Sequence, residues 1–152
     1  DPRRHRRPVA RHGAGLMATV RLISDEAAGP EVAAVFADIR ETRGGPFINN
    51  FWRALANDPP LLKATWERLK TVMGETREDG LDLLTKEMLY IAVSIANGCD
   101  YCVHSHTAAA RAKGMTGAQH GDLLAVVAMA SQTNALATAL GVAVDEAFEA
   151  EA

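Results

Sequence analysis

Apolar residues recur at helical spacing along most of this chain. Val32, Val35, Phe36 and Ile39 stand three to four positions apart in an otherwise polar stretch, the pattern of a helix that buries one face. Ser24-Asp25-Glu26 opens the signal, residues 31–43 continue it, and Gly44-Gly45-Pro46 ends it. Residues 47–57 read as a short helix carrying Phe51, Trp52 and Leu55. Asp58-Pro59-Pro60 is a start signal, with Asp as the cap and Pro in the first turn. That helix is predicted to reach about Met73, with Leu62, Trp66 and Leu69 on one face. Trp52 and Trp66 are assigned to the core.

Residues 75–80 are polar and turn-like. A helix over about 85–96 follows, with residues 81–84 as its lead-in and Asn97-Gly98 as a left-handed cap. The next helix starts near Cys99 or Asp100 and stops at Gly114. Thr116 and Gln119 then form a capping box for a helix through about Met129. The pattern pauses near Ser131 and resumes to Gly141, and residues 142–152 make a weak, acidic helical tail. No segment alternates with period two between turns. The expectation is an all-α fold of six to eight helices around a central antiparallel helix pair, in one domain over residues 17–152.

Two of these helices carry little polar surface. Residues 86–96 include Met88, Leu89, Tyr90, Ile91, Val93 and Ile95, and residues 123–130 are almost wholly apolar. A helix apolar on every side must be covered on every side, and one small domain cannot do that twice. A homo-oligomer is therefore expected. No apolar stretch of about 20 residues runs without polar interruption, so no membrane span is expected.

The chain has 152 residues, 48% of them hydrophobic, enough for a real core. Its formal net charge of −3 is unevenly spread. Residues 1–16 hold five arginines against Asp1, a local +4, so residues 17–152 carry −7. A body of that sign repels polyanions and argues against nucleic acid as a partner. The basic leader lacks the apolar middle of a secretory signal and is read as an upstream extension or cloning remnant. The chain's only two cysteines, Cys99 and Cys102, are close together. Without a secretory signal the expected compartment is the cytoplasm, where structural disulfides are rare. A Cys-x-x-Cys there points to redox or metal chemistry.

Cys99, Cys102 and His106 stand at i, i+3 and i+7, on one helical stripe. Cys102 and His106 are an i, i+4 pair, close enough for the imidazole to take a thiol proton. Cys99 falls at the helix N-terminus, where unpaired N–H groups favour a thiolate. His104 is turned roughly 200° from Cys102 and faces elsewhere. Glu87 is the odd residue in an apolar helix. It lies eleven residues before Gly98, and His106 lies eight after it. In an antiparallel hairpin the two are offset by about 4.5 Å along the axis, so Glu87 can orient and charge-support His106.

The grouping Glu87-x11-Cys99-x2-Cys102-x3-His106 resembles the signature of the alkylhydroperoxidase AhpD-like group within the carboxymuconolactone decarboxylase superfamily. The resemblance covers about residues 81–141, including Lys86-Glu87-Met88, the run Asn97-Gly98-Cys99-Asp100-Tyr101-Cys102 and Gly114-Met115-Thr116. Upstream, residues 57–62 resemble the lead-in of single-repeat, peroxidase-related members. The resemblance implies a trimer, or a hexamer built from trimers, and thiol-dependent peroxide reduction without a cofactor. It implies Cys102 as the attacking thiol, Cys99 as the resolving thiol, and His106 with Glu87 as the proton relay. The partners so implied are a hydroperoxide substrate and a thiol or dithiol electron donor. AhpD proteins carry a histidine just before the second cysteine, where this chain has Tyr101.

Other readings compete. Zinc would draw on Cys99, Cys102, His104 and His106, with His5, His12 or His120 as further ligands, but structural zinc usually takes a second ligand pair from a separate segment. Haem attachment requires a histidine where Val103 stands. A lactone-decarboxylating lyase of the same superfamily generally lacks the dithiol. A non-catalytic, redox-sensing oligomeric module is the remaining alternative.

Overall fold

A computed structural model describes residues 18–148; the basic leader and the last four positions of the tail lie outside the described residues. Within them six α-helices follow in order: α1 Pro30–Arg43, α2 Asn50–Leu55, α3 Pro59–Gly74, α4 Leu83–Ala96, α5 Asp100–Ala112 and α6 Gly117–Leu140, then a 3-10 turn at Glu146–Phe148. No strand occurs among the described residues, so the fold is all-α, as the apolar spacing implies. The chain divides into two compact units, one ending at Leu69 and the other beginning at Lys70.

The first unit is built on two tryptophans. Trp52 and Trp66 meet edge to face at 5.4 Å, buried with Phe36, Ile39 and Leu62. The Trp66 indole N–H donates to Asp38 at 2.6 Å, so the buried ring leaves no polar atom unpaired. The segment before α1 differs from expectation. Ser24-Asp25-Glu26 forms a turn, in which Ser24 Oγ accepts from the Ala27 N–H at 3.3 Å. The helix starts afresh at Pro30 because proline's fixed φ suits a first helical position. Arg53 holds the turn's leading strand of chain: its Nη1 donates to the Ile23 carbonyl at 2.9 Å, and its carbonyl accepts the Ile23 N–H at 3.1 Å.

The second unit holds the candidate chemistry. Asp82 caps α4, accepting from the Thr85 N–H at 2.9 Å and from the Thr85 hydroxyl at 2.7 Å. α4 packs against both α5 and α6. Ile91, Ala110, Met115 and Leu123 form the core, with Leu84, Met88, Ile95 and Val127 around them. Ala110 is fully buried, and its small side chain lets α5 lie close to α4. Between the two helices the chain reverses at Gly98, whose φ of +67° a side chain would strain. The Cys99 N–H returns to the Ser94 carbonyl at 2.9 Å, closing the reversal.

α6 runs without the expected pause at Ser131. The Ser131 and Thr133 hydroxyls bond back to the carbonyls of Val127 and Met129 at 2.8 and 3.1 Å, satisfying themselves inside the helix. The capping box at Thr116 and Gln119 is present, with bonds of 3.1 and 2.9 Å. Leu123 is the one buried residue of α6 in a single chain, while Leu124, Val126, Met129, Leu136 and Leu140 are exposed. The expectation that no segment is apolar enough for a membrane needs correction. By length and composition alone α6 qualifies, with a mean hydropathy of 1.5 over its best window, because the polar residues of its second half, Ser131, Gln132, Thr133, Asn134 and Thr138, are uncharged.

Candidate active site

The site is assembled by the α4–α5 hairpin. Cys99 is the N-cap of α5, and its sulfur accepts from the Cys102 backbone N–H at 3.3 Å. That placement follows from Gly98: the left-handed turn ends one helix and leaves Cys99 in a non-helical conformation, φ −94° and ψ 87°, as the N-cap of α5 beside its first free amides. Cys99 and Cys102 are joined as a disulfide across one helical turn, with Cα atoms 5.3 Å apart. A thiolate at Cys99 would keep the amide bond and the field of the helix N-terminus.

One turn beyond Cys102, the His106 ring lies between two residues of α4. Its Nδ1 is 2.7 Å from Glu87 Oε2, and the Tyr90 ring stacks on it with centroids 3.6 Å apart and planes 19° from parallel. Hydrogen bond and stack together fix both the axis and the plane of the imidazole. An ionised carboxylate only accepts, so Nδ1 carries a proton, and in the neutral ring Nε2 is then the free base. This tautomer is inferred from the hydrogen-bond partner.

Glu87 is buried, with 6% of its side chain exposed. Lys113 Nζ donates to its Oε1 at 2.9 Å, leaving Oε2 to His106. Burial pushes the Glu87 carboxyl upward, but hydrogen bonds from His106 and Lys113, with their charges, outweigh it and hold the group below the ordinary glutamate value. The carboxylate is therefore an anion at neutral pH, despite sitting in an apolar helix.

Both cysteines line a cavity of about 680 Å³ within the second unit. Val72, Met73, Leu81, Leu89 and Val93 supply its apolar wall, and Tyr90, which stacks on His106, also lines it. Lys86 closes another side, its ammonium donating to the Val72 carbonyl at 2.7 Å and to that of Glu75. The cavity has room for a small organic molecule, with its apolar part against the wall and a reacting group at the sulfurs.

All four sequence-derived site residues thus lie on the one hairpin. His104 is exposed, away from the stripe. Among the described residues no group of three or more His, Cys, Asp or Glu side chains could hold a metal ion. His5 and His12, considered as zinc ligands, lie outside the described residues. Two participants were not foreseen, Tyr90 and Lys113. Lys113 stands seven residues past His106, on the same stripe, and extending the stripe to the end of α5 finds it. Tyr90 stands three past Glu87, and within an apolar run it reads as core.

The family model for the carboxymuconolactone decarboxylase family matches residues 60–145, which include every residue of the hairpin. The chain belongs to the carboxymuconolactone decarboxylase family. A crystal structure of the alkylhydroperoxidase AhpD core from Rhodospirillum rubrum is 63% identical, with a TM-score of 0.84, covering 89% of this chain and 99% of that one. No curated protein matches the chain. Within the carboxymuconolactone decarboxylase family the chain is AhpD-like, in sequence and in its all-helical fold.

Proposed function

We propose that this protein is a thiol-dependent peroxidase, reducing organic hydroperoxides through Cys99 and Cys102. The observation that carries the reading is that both cysteines line an apolar cavity, with Cys102 one helical turn from a histidine backed by a buried carboxylate. In the reduced protein, His106 Nε2 takes the Cys102 proton. The Cys102 thiolate attacks the terminal oxygen of the hydroperoxide, the O–O bond breaks, and Cys102 becomes a sulfenic acid. The departing alkoxide collects the proton held by His106 and leaves as the alcohol. Cys99 then condenses with the sulfenic acid, expelling water and forming the disulfide seen here. A thiol or dithiol donor returns two electrons and two protons to restart the cycle. No step requires a cofactor.

The apolar wall favours a hydroperoxide with a hydrocarbon body over hydrogen peroxide, which gains nothing from it. The similarity to an alkylhydroperoxidase AhpD core supports the same choice. The exposed apolar side of α6 is best covered by further copies of this chain, in a trimer or a hexamer of trimers acting in the cytoplasm. The test of activity is a single turnover: pre-reduced protein is mixed with an equimolar organic hydroperoxide and the alcohol is quantified. One alcohol per dithiol supports the reading. A rate no faster than that of free cysteine sinks it in favour of a redox-sensing module.

A further inference from the structure

Glu87 has a second partner that the proposed relay does not use. Lys113 is the C-cap residue of α5, fixed there by its own N–H, which is shared between the carbonyls of Ala109 and Ala110 at 3.1 Å each. A lysine at a helix C-terminus gains from the dipole while staying in water. This one reaches inward instead. Its side chain is 32% exposed, yet its ammonium lies 2.9 Å from a carboxylate that is 6% exposed. Ordering a long side chain costs entropy, so the contact must return something. The two partners take different oxygens of one carboxylate, Lys113 on Oε1 and His106 on Oε2, and neither displaces the other.

We propose that Lys113 is a positioning residue for the thiol chemistry: it holds Glu87 Oε1 so that Oε2 stays aimed at His106 Nδ1 and the imidazole presents an unprotonated Nε2 to Cys102. The identity of the reaction rests on the peroxidase reading; the geometry does not. A buried carboxylate with a single partner is prone to take up a proton. Once protonated, Glu87 can donate to Nδ1, and the ring's own proton then moves to Nε2. That tautomer cannot accept from the thiol. The charged groups acting on Glu87 are His106 and Lys113, both from α5. From α4, Tyr90 covers the imidazole face, and α6 brings apolar Leu123 and Val127 to this core. Among the described residues, the ammonium is thus the permanent charge on the carboxylate that is independent of the histidine's own protonation. An opposite charge at such range changes a carboxyl's proton affinity by about tenfold to a thousandfold.

The test uses the full chain, reduced, as wild type, Lys113→Met and Lys113→Arg. Two quantities are followed against pH: the single-turnover rate with an organic hydroperoxide, and the NMR titration of the Glu87 side-chain carboxyl carbon. In Lys113→Met, Glu87 is expected to titrate at higher pH than in wild type. The rate at pH 5 is expected to fall about tenfold relative to its own plateau at pH 8. Lys113→Arg restores both. Should Lys113→Met fail to fold, Lys113→Gln carries the same two readouts. An unmoved Glu87 titration overturns the proposal, as does an equal loss of rate at every pH in both the Met and the Arg variants. If wild-type protein consumes no hydroperoxide, the peroxidase reading fails by itself, and the Glu87 titration alone decides the role of Lys113.

Discussion

Replacing Glu87 by glutamine keeps the shape of the buried side chain and removes its charge. The carboxylate accepts from two donors, Lys113 Nζ at 2.9 Å and His106 Nδ1 at 2.7 Å. An amide offers one accepting oxygen and one donating NH2, so Lys113 keeps an acceptor, His106 must move its proton to Nε2 to accept at Nδ1, and neither bond keeps the carboxylate's charge. Losing a charge-assisted hydrogen bond at a buried group costs about 1–3 kcal/mol, and Lys113 recovers part of this because its side chain is 32% exposed and can turn to water. A net loss of about 1–2 kcal/mol at pH 7 is expected. The pH dependence has a definite sign. The folded-state carboxyl titrates below its ordinary value of 4.5. Its contribution is therefore complete above that value and fades as the pH falls through the folded-state value. Urea denaturation of the oxidised wild type and Glu87→Gln, at one fixed protein concentration from pH 3 to pH 8, measures the difference. The gap should be constant above about pH 5 and close towards pH 3. A gap of the same size at pH 3 and pH 7, or none at pH 7, would refute the assignment of Glu87 as a buried anion.

Other outcomes follow from the same geometry. Cys102→Ser should abolish hydroperoxide consumption, while Cys99→Ser should allow one slow turnover and leave a sulfenic acid that dimedone traps; full activity in Cys102→Ser would reverse the two roles. Gly98→Ala should cost about 1 kcal/mol in thermal or urea unfolding, because its φ of +67° falls in the left-handed region; no loss would mean the reversal relaxes without strain. Val126→Glu with Leu136→Glu on the exposed side of α6 should reduce the mass seen by light scattering to that of one chain, about 16.3 kDa. Unchanged mass would place the contact between copies elsewhere.

Much of the fold was legible because the helices announce their own ends. Asp58, Asp82 and the Thr116–Gln119 box supply caps, and Gly98 and Gly114 supply the left-handed exits. The pairing of Glu87 with His106 was legible too, since a tight reversal at Gly98 converts a count of residues into a height along two helices. Three things were hidden. Ser24-Asp25-Glu26 looks like a helix start, yet Gly29-Pro30 is the stronger one, and the earlier signal closes a turn instead. Ser131 and Thr133 look like a break, but their hydroxyls bond within the helix and α6 continues. Lys113 looks like an ordinary solvated cation at a helix end; the stripe of His106 passes through it, and the course of its side chain shows that it turns inward to Glu87. The cavity was beyond reach, because Val72, Met73 and Leu81 come to the sulfurs from outside the hairpin.

The most direct test of the chemistry is the mass and thiol state of the protein itself. Reduced protein is treated with one equivalent of an organic hydroperoxide, alkylated, digested and analysed by mass spectrometry, with a parallel sample then exposed to a dithiol. A peptide bearing a Cys99–Cys102 bridge, two hydrogens lighter than its reduced form and restored to that form by the dithiol, is the expected result. Two free thiols after exposure, or an overoxidised Cys102 that the dithiol does not repair, would contradict it.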